Sequence, residues 1–160
     1  MKKYRVGVVT GKFLPPHVGH VELIEHARSL CDVLYVVLAE RRAQSGDGWL
    51  HDGRVRLQWM RDYWADSEDT KFLYMDHGDL PPRPSGTQQW CKRLKDLVGV
   101  KIDARIFGCE DYFQMDAFFP GCESVWVQRG VDSVDISATR IRANIADFLG
   151  FVIPTAKIVD

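Results

Sequence analysis

A chain of 160 residues, 46% hydrophobic and 27% charged, has the size and composition of one soluble globular domain, which excludes collagen-like, coiled-coil and disordered classes. Its 21 Lys plus Arg against 22 Asp plus Glu leave a net charge of −1, so no global basic field exists to hold nucleic acid by counterion release, and no nucleic-acid partner is expected. It contains no run of 18 apolar residues, and Met1-Lys2-Lys3-Tyr4-Arg5 leads into a strand-like stretch rather than a secretory signal. The expectation is a single domain over residues 1–160, cytoplasmic, with no membrane partner. Cys31, Cys91, Cys109 and Cys122 form no C-x-x-C pair and read as reduced thiols, mostly packing.

In chain order, residues 4–10 are apolar, β-branched and continuous, as a strand buried on both faces should be, and the run stops at Gly11. From Val18, Leu23, Ile24, Ala27, Leu30 and Cys31 recur at helical spacing, and a second apolar run follows at 33–39, completing a βαβ unit. After a charged loop at 40–52, Val55, Trp59, Met60, Tyr63 and Trp64 form another stripe, with Asp52 as its N-cap. A short strand at 72–75 precedes the Pro- and Gly-rich segment 76–86, which predicts an exposed loop. Trp90, Leu94, Leu97 and Val98 mark a third helix. A strand at 104–108, a short helix at 111–119 and a last strand at 124–128 complete the pattern. Five strands alternating with helices predict an α/β fold: a Rossmann-like five-stranded parallel sheet with helices on both faces and its ligand crevice at the carboxyl ends of the strands.

Chemistry concentrates between the first strand and first helix, in Gly11-Lys12-Phe13-Leu14-Pro15-Pro16-His17-Val18-Gly19-His20. Gly11 and Lys12 at the strand end, with His17, Gly19 and His20 around the helix N-terminus, would gather backbone donors, a helix dipole and up to three cationic side chains at one point. This is a pattern for polyphosphate. Composition alone yields about one H-x-G-H per hundred such chains, and its strand-to-helix position makes accident rarer. A second segment, Asp135-Ile136-Ser137-Ala138-Thr139-Arg140-Ile141-Arg142, follows the loop 129–134. Ser137 is placed to cap a helix, and Thr139 and Arg142 then share one face. Alone, that pattern is more often a cap and a solvated face. Its weight comes from pairing with the histidine segment.

The two segments, His17-Val-Gly-His20 and Ile136-Ser-Ala-Thr-Arg-Ile-Arg142, resemble the hallmarks of the H-x-G-H nucleotidyltransferase superfamily. The wider context is similar to nicotinamide-nucleotide adenylyltransferases, especially the adenylyltransferase domain of bifunctional bacterial NAD-biosynthesis regulators. The matching features are Gly11-Lys12-Phe13 ahead of Pro15, Asp52-Gly53-Arg54-Val55-Arg56, Pro84-Ser85-Gly86 through Trp90, and Val131-Asp132. The resemblance implies ATP contacts from Gly11, Lys12, Phe13, His17, Gly19, His20, Ser137, Thr139 and Arg142. It also implies nicotinamide stacking on Trp90 and Arg54 near the mononucleotide phosphate. Trp90 equally begins the apolar stripe with Leu94 and Leu97, so core packing stays open for it. Homo-oligomers are frequent in the family. The bifunctional relatives also carry a kinase with a P-loop, whereas this sequence has no G-x-x-x-x-G-K-[ST], and kinase activity is not expected.

The implied reaction is transfer of AMP from ATP to nicotinamide mononucleotide (NMN), giving NAD and pyrophosphate, with His20, His17, Lys12 and Arg142 as the catalytic set. Mg²⁺ is expected to come with the ATP phosphates, without a protein ligand. Transfer to phosphopantetheine, flavin mononucleotide or glycerol phosphate on the same scaffold, or a non-catalytic nucleotide sensor, remain alternatives at this stage. A metallohydrolase using His17, His20 and His26 lacks any H-E-x-x-H or H-x-x-E-H, and a P-loop at Gly7 to Phe13 has three residues between its glycines instead of four.

Overall fold

The β-branched run after Lys3 forms β1 (Tyr4–Gly11), and α1 (Val18–Leu30) returns the chain to β2 (Cys31–Glu40). The computed structural model describes residues 1–42, 52–128 and 136–157. Within them follow α2 (Gly53–Tyr63), β3 (Thr70–Asp76), α3 (Thr87–Val98), β4 (Ala104–Phe107), a 3₁₀ segment (Glu110–Phe118) and β5 (Glu123–Trp126). Two short helices, α4 (Ala138–Ala143) and α5 (Ile145–Phe148), and a last 3₁₀ turn (Leu149–Phe151) complete the order. The short helix expected at 111–119 is 3₁₀, and β2 starts at Cys31, directly after the last residue of α1, two residues before the apolar run at 33–39.

The strands lie in the order β3-β2-β1-β4-β5, and every neighbouring pair is parallel. The chain runs outward from β1 to β3 and then crosses to β4 on the other side of β1, so the strand order reverses beside β1. In such sheets the crevice at the reversal is the ligand site.

Side chains alternate across the sheet. Val9, Leu34, Val36, Leu38 and Phe72 meet Ile24 and Ala27 of α1 and Leu57, Trp59 and Met60 of α2 on one face. Val8, Val37, Ala39 and Met75 meet Cys91, Leu94 and Val98 of α3, with Met115 and Phe119, on the other. Fully burying each such Leu, Ile or Met contributes about 1.5–3 kcal/mol, so both helical layers are fixed by apolar burial rather than by propensity. Helix α3 stops at Gly99, whose φ of 76° makes the left-handed C-cap, with its N–H on Lys95 O at 2.9 Å.

The stripes differ from expectation in phase. In α2 the inward positions are Gly53, Arg56, Leu57, Met60 and Trp64, with Trp59 beside them, while Val55 and Tyr63 face outward. A buried arginine, counted as polar, hides the true face. In α3, Cys91 rather than Leu97 occupies the core, and Leu97 is exposed. All four cysteines are free: Cys31 and Cys91 are buried, and burial pushes each thiol up to about 11. Cys122 is half-buried and Cys109 is exposed.

Candidate active site

The histidine segment caps α1 with itself. His17 is the N-cap: its Nδ1 accepts from Gly19 N at 3.1 Å, while His20 Nδ1 accepts from His17 N at 3.1 Å. This is a capping box in which imidazoles replace the usual Ser and Glu. With both Nδ1 atoms serving as acceptors, the neutral rings carry their proton on Nε2. The rings stack with centroids 3.7 Å apart, and Phe13 meets His20 edge-on at 4.8 Å. Gly19 is required by this packing, since a Cβ there would stand 2.9 Å from the His17 ring and 3.2 Å from Ile136. The Gly19 amide is spent on His17, and the His17 ring is itself buried, so the half-buried His20 ring and the exposed Lys12, rather than that backbone donor, are what the turn brings to its surface.

The second segment meets the first. Ser137 caps α4, its Oγ accepting from Arg140 N at 3.2 Å. Arg142 donates from Nη1 to Leu14 O at 2.6 Å and from Nη2 to Thr139 Oγ1 at 3.4 Å. One guanidinium therefore ties helix α4 to the turn 128 residues earlier. Ile153 N donates to Pro16 O at 3.2 Å, and His17 bridges Val152, so the segment after α5 also lies along the turn. The sequence offered no signal for this last contact. Lys12 is exposed, and Phe13, at φ 48°, is buried in the core. Val131 and Asp132 lie outside the described residues.

Beside Lys12, a cavity of about 220 Å³ opens at the carboxyl ends of β1, β2 and β3. Gly11 and Lys12, Arg41, His77, Arg83 and Trp90 contribute to its walls, with Pro81 and Pro82. Trp90 is half-buried: it packs on the core layer of α3 and also lines the cavity, edge-on to His77 at 6.2 Å. Arg54 is not in this cavity. It stands at the start of α2 in a separate, open depression with Gln58 and Lys157, 3.6 Å from Asp52 and over the Tyr74 ring. The cations around Trp90 are Arg41 and Arg83, which pattern reading passed over because each sits in a loop with no periodicity.

Arg41 also shapes the wall, donating to Leu80 O at 2.9 Å and His77 O at 3.4 Å. Arg93 clamps Asp79 through 2.6 and 2.9 Å bonds, which hold that carboxyl down to about 2. Burial first, then the Arg41 charge, pushes His77 below the ordinary value of 6.5, with Lys12 and Arg93 adding and Asp76 opposing. The unfolded chain then binds more protons than the folded one, so stability rises with pH and is lost as pH falls below 6.5. Between about pH 6.5 and 5, the wild-type melting temperature should fall more steeply than that of His77→Gln. Superimposable melting curves across that range would refute the assignment.

Behind the turn lies a buried polar group that the sequence did not reveal. Glu40 and Arg56, 3% and 2% exposed, approach to 3.5 Å, and Glu40 Oε2 accepts from Tyr74 OH at 2.6 Å and Gly53 N at 2.8 Å. Among the described residues, no group of three His, Cys, Asp or Glu is arranged to hold a metal ion, and His26 sits exposed on α1, away from the His17–His20 stack. No helix among the described residues is long and apolar enough to cross a membrane.

This sheet order, with a histidine-capped turn at the carboxyl edge of β1, is a Rossmann-like fold. Among the relatives that the chain matches are the trifunctional NAD biosynthesis/regulator proteins NadR. It is 26% identical to that of Escherichia coli K12 over 156 residues and 26% identical to that of Salmonella typhimurium LT2 over 159 residues, spanning 89% of this chain and 37% of each relative. Among solved structures, NadR in complex with NAD and AMP-PNP superposes at a TM-score of 0.73 and 24% identity, covering 95% of this chain and 46% of that one. A bifunctional NMN adenylyltransferase/ADP ribose pyrophosphatase from Francisella tularensis superposes at 0.65 and 17% identity, covering 98% and 45%. The chain thus spans little more than a third of the curated relatives' length and under half of those structures. No protein-family model matches it. Together the structural likenesses show a fold shared with these proteins.

Proposed function

We propose that this domain is an NMN adenylyltransferase: an oxygen of the NMN phosphate attacks the α-phosphorus of ATP, the α–β bridging P–O bond breaks, and NAD and pyrophosphate leave. The observation that carries this reading is the one cavity that Gly11 and Lys12 of the β1 turn and the Trp90 ring line together, with Arg41 and Arg83 also in its walls. A flat aromatic ring with cations nearby suits a charged pyridine nucleotide better than a purely aliphatic acceptor.

The nucleophile needs no general base, because a phosphate with second pKa near 6 is already largely ionised at neutral pH. What remains for the protein is alignment and charge stabilisation. His20, with Nδ1 occupied by the cap, donates from Nε2 to the α-phosphoryl oxygens as charge moves onto them. Lys12 and Arg142 hold the other phosphates, the buried His17 ring backs His20, and Ser137 and Thr139 line the C-terminal side. Trp90 stacks on nicotinamide. Arg41 and Arg83 take the role that sequence resemblance gave Arg54, since they share the cavity with Trp90 and Arg54 does not. The donor set at the turn is imidazole, ammonium and guanidinium without a carboxylate, which suits Mg²⁺ held by phosphate oxygens and water. That ion would supply charge neutralisation on the pyrophosphate.

The test is NAD formation from NMN and Mg-ATP by purified protein, with nicotinic acid mononucleotide, phosphopantetheine, flavin mononucleotide, and glycerol phosphate plus CTP as parallel acceptors. NAD formed faster than any non-pyridine product supports the proposal. Turnover of a non-pyridine acceptor alone overturns it.

A further inference from the structure

We propose that Arg56, oriented by Glu40, is a positioning residue for nucleotidyl transfer: from the buried side it fixes the turn at Lys12 and Phe13, and through that turn the Lys12 side chain and the His20 ring. The inference rests on the reading above, in which Lys12 and His20 contact the phosphates of ATP.

Glu40 ends β2 and its carboxylate is consumed by three donors from two elements, α2 and β3. Gly53 N is at 2.8 Å, Tyr74 OH at 2.6 Å and Arg56 Nη2 at 3.5 Å. The approach of α2 is so close that a Cβ on Gly53 would stand 2.3 Å from Glu40 Oε2, which explains the glycine at the first position of the helix. Held this way, Arg56 Nη2 also donates to Lys12 O at 3.4 Å. A purely structural ion pair has no need of that third partner.

Lys12 O is a telling place for it. The next residue, Phe13, adopts φ 48°, a left-handed backbone that a non-glycine residue keeps only where its surroundings hold it. The Phe13 ring then lies 3.2 Å from where a Gly11 Cβ would be and 4.8 Å from the His20 ring centroid. Releasing Lys12 O therefore loosens the strand end, the Phe13 wedge and the ring that donates to the α-phosphoryl. Misplacing a reacting group by about 1 Å can cost on the order of a hundredfold in rate.

The experiment compares wild type, Arg56→Met, Arg56→Lys and the double variant Glu40→Gln/Arg56→Met. The double variant removes both charges and avoids leaving one buried without its partner. Three quantities are read: kcat and KM for each substrate, melting temperature, and amide hydrogen exchange across residues 12–20. Expected are a fall in kcat of about tenfold or more in the double variant, KM for the mononucleotide within about threefold, and faster exchange across 12–20. Arg56→Lys, which keeps the charge and a donor, should recover part of the kcat lost in Arg56→Met. Unchanged exchange over 12–20 in folded variants overturns the proposal, as does a lowered melting temperature with unaltered kcat. Hydrogen exchange separates the two readings: if wild type makes no NAD, faster exchange still supports the positioning of the turn, and unchanged exchange still refutes it.

Discussion

Replacing His20 with alanine is expected to lower kcat by about 10²–10³-fold, the usual consequence of removing one preorganised donor to a transition state. The fall should appear equally in kcat/KM, with ATP affinity little changed, because the contact strengthens only as the α-phosphoryl transfers. His20 also accepts from His17 N at 3.1 Å, so alanine removes a cap as well as a donor. A lost cap costs about 1 kcal/mol, or about 2–4 °C in melting temperature for a chain of this size. His20→Gln separates the two roles. Its amide oxygen can refill the capping box, so the melting temperature should recover, while the geometry of an imidazole Nε2 donor is not restored and kcat should stay low. Recovery of kcat in the glutamine variant would mean that His20 serves the helix and not the reaction.

What could be read from the sequence was whatever one element decides by itself. The apolar runs at the starts of β1 and β2, the Asp52 and Ser137 caps, and the pairing of Thr139 with Arg142 each depend on residues within a turn or two, and each is found in place. The histidine turn was legible for the same reason, except that its rings cap each other and so occupy the Gly19 amide that the pattern offered to phosphate. Hidden were groups assembled from distant segments. Glu40 looked like the start of a charged loop, yet it is 3% exposed, because its partners Arg56 and Tyr74 lie 16 and 34 residues away. Arg56 read as polar and so shifted the apparent face of α2. The cavity wall escaped for a related reason: Arg41 reaches across to the carbonyls of 77–80, and Gly86 lies so close to Pro81 O that a Cβ would be 1.9 Å from it, a doubling-back that no periodicity reports.

Trp90 offers the second large effect, and its two environments make the outcome specific. Its ring lines the cavity while the residues next along α3, Cys91 and Leu94, are 0% and 1% exposed. Aromatic stacking on a base is worth about 1–3 kcal/mol, so Trp90→Ala should raise KM for the mononucleotide by about 10–100-fold and leave KM for ATP near its original value. The melting temperature should fall too, since the half-buried ring packs on the layer between α3 and the sheet. Trp90→Phe keeps an aromatic face of smaller area. It should restore most of the stability and much of the KM, because stacking and packing both use the face of the ring and neither uses the indole N–H. A variant series in which melting temperature tracks ring size while KM stays constant would assign Trp90 to the core alone. The mononucleotide would then lie against Arg41 and Arg83 without an aromatic partner. Parallel loss of both quantities on alanine substitution, with recovery of both on phenylalanine, is what one ring serving core and substrate together requires.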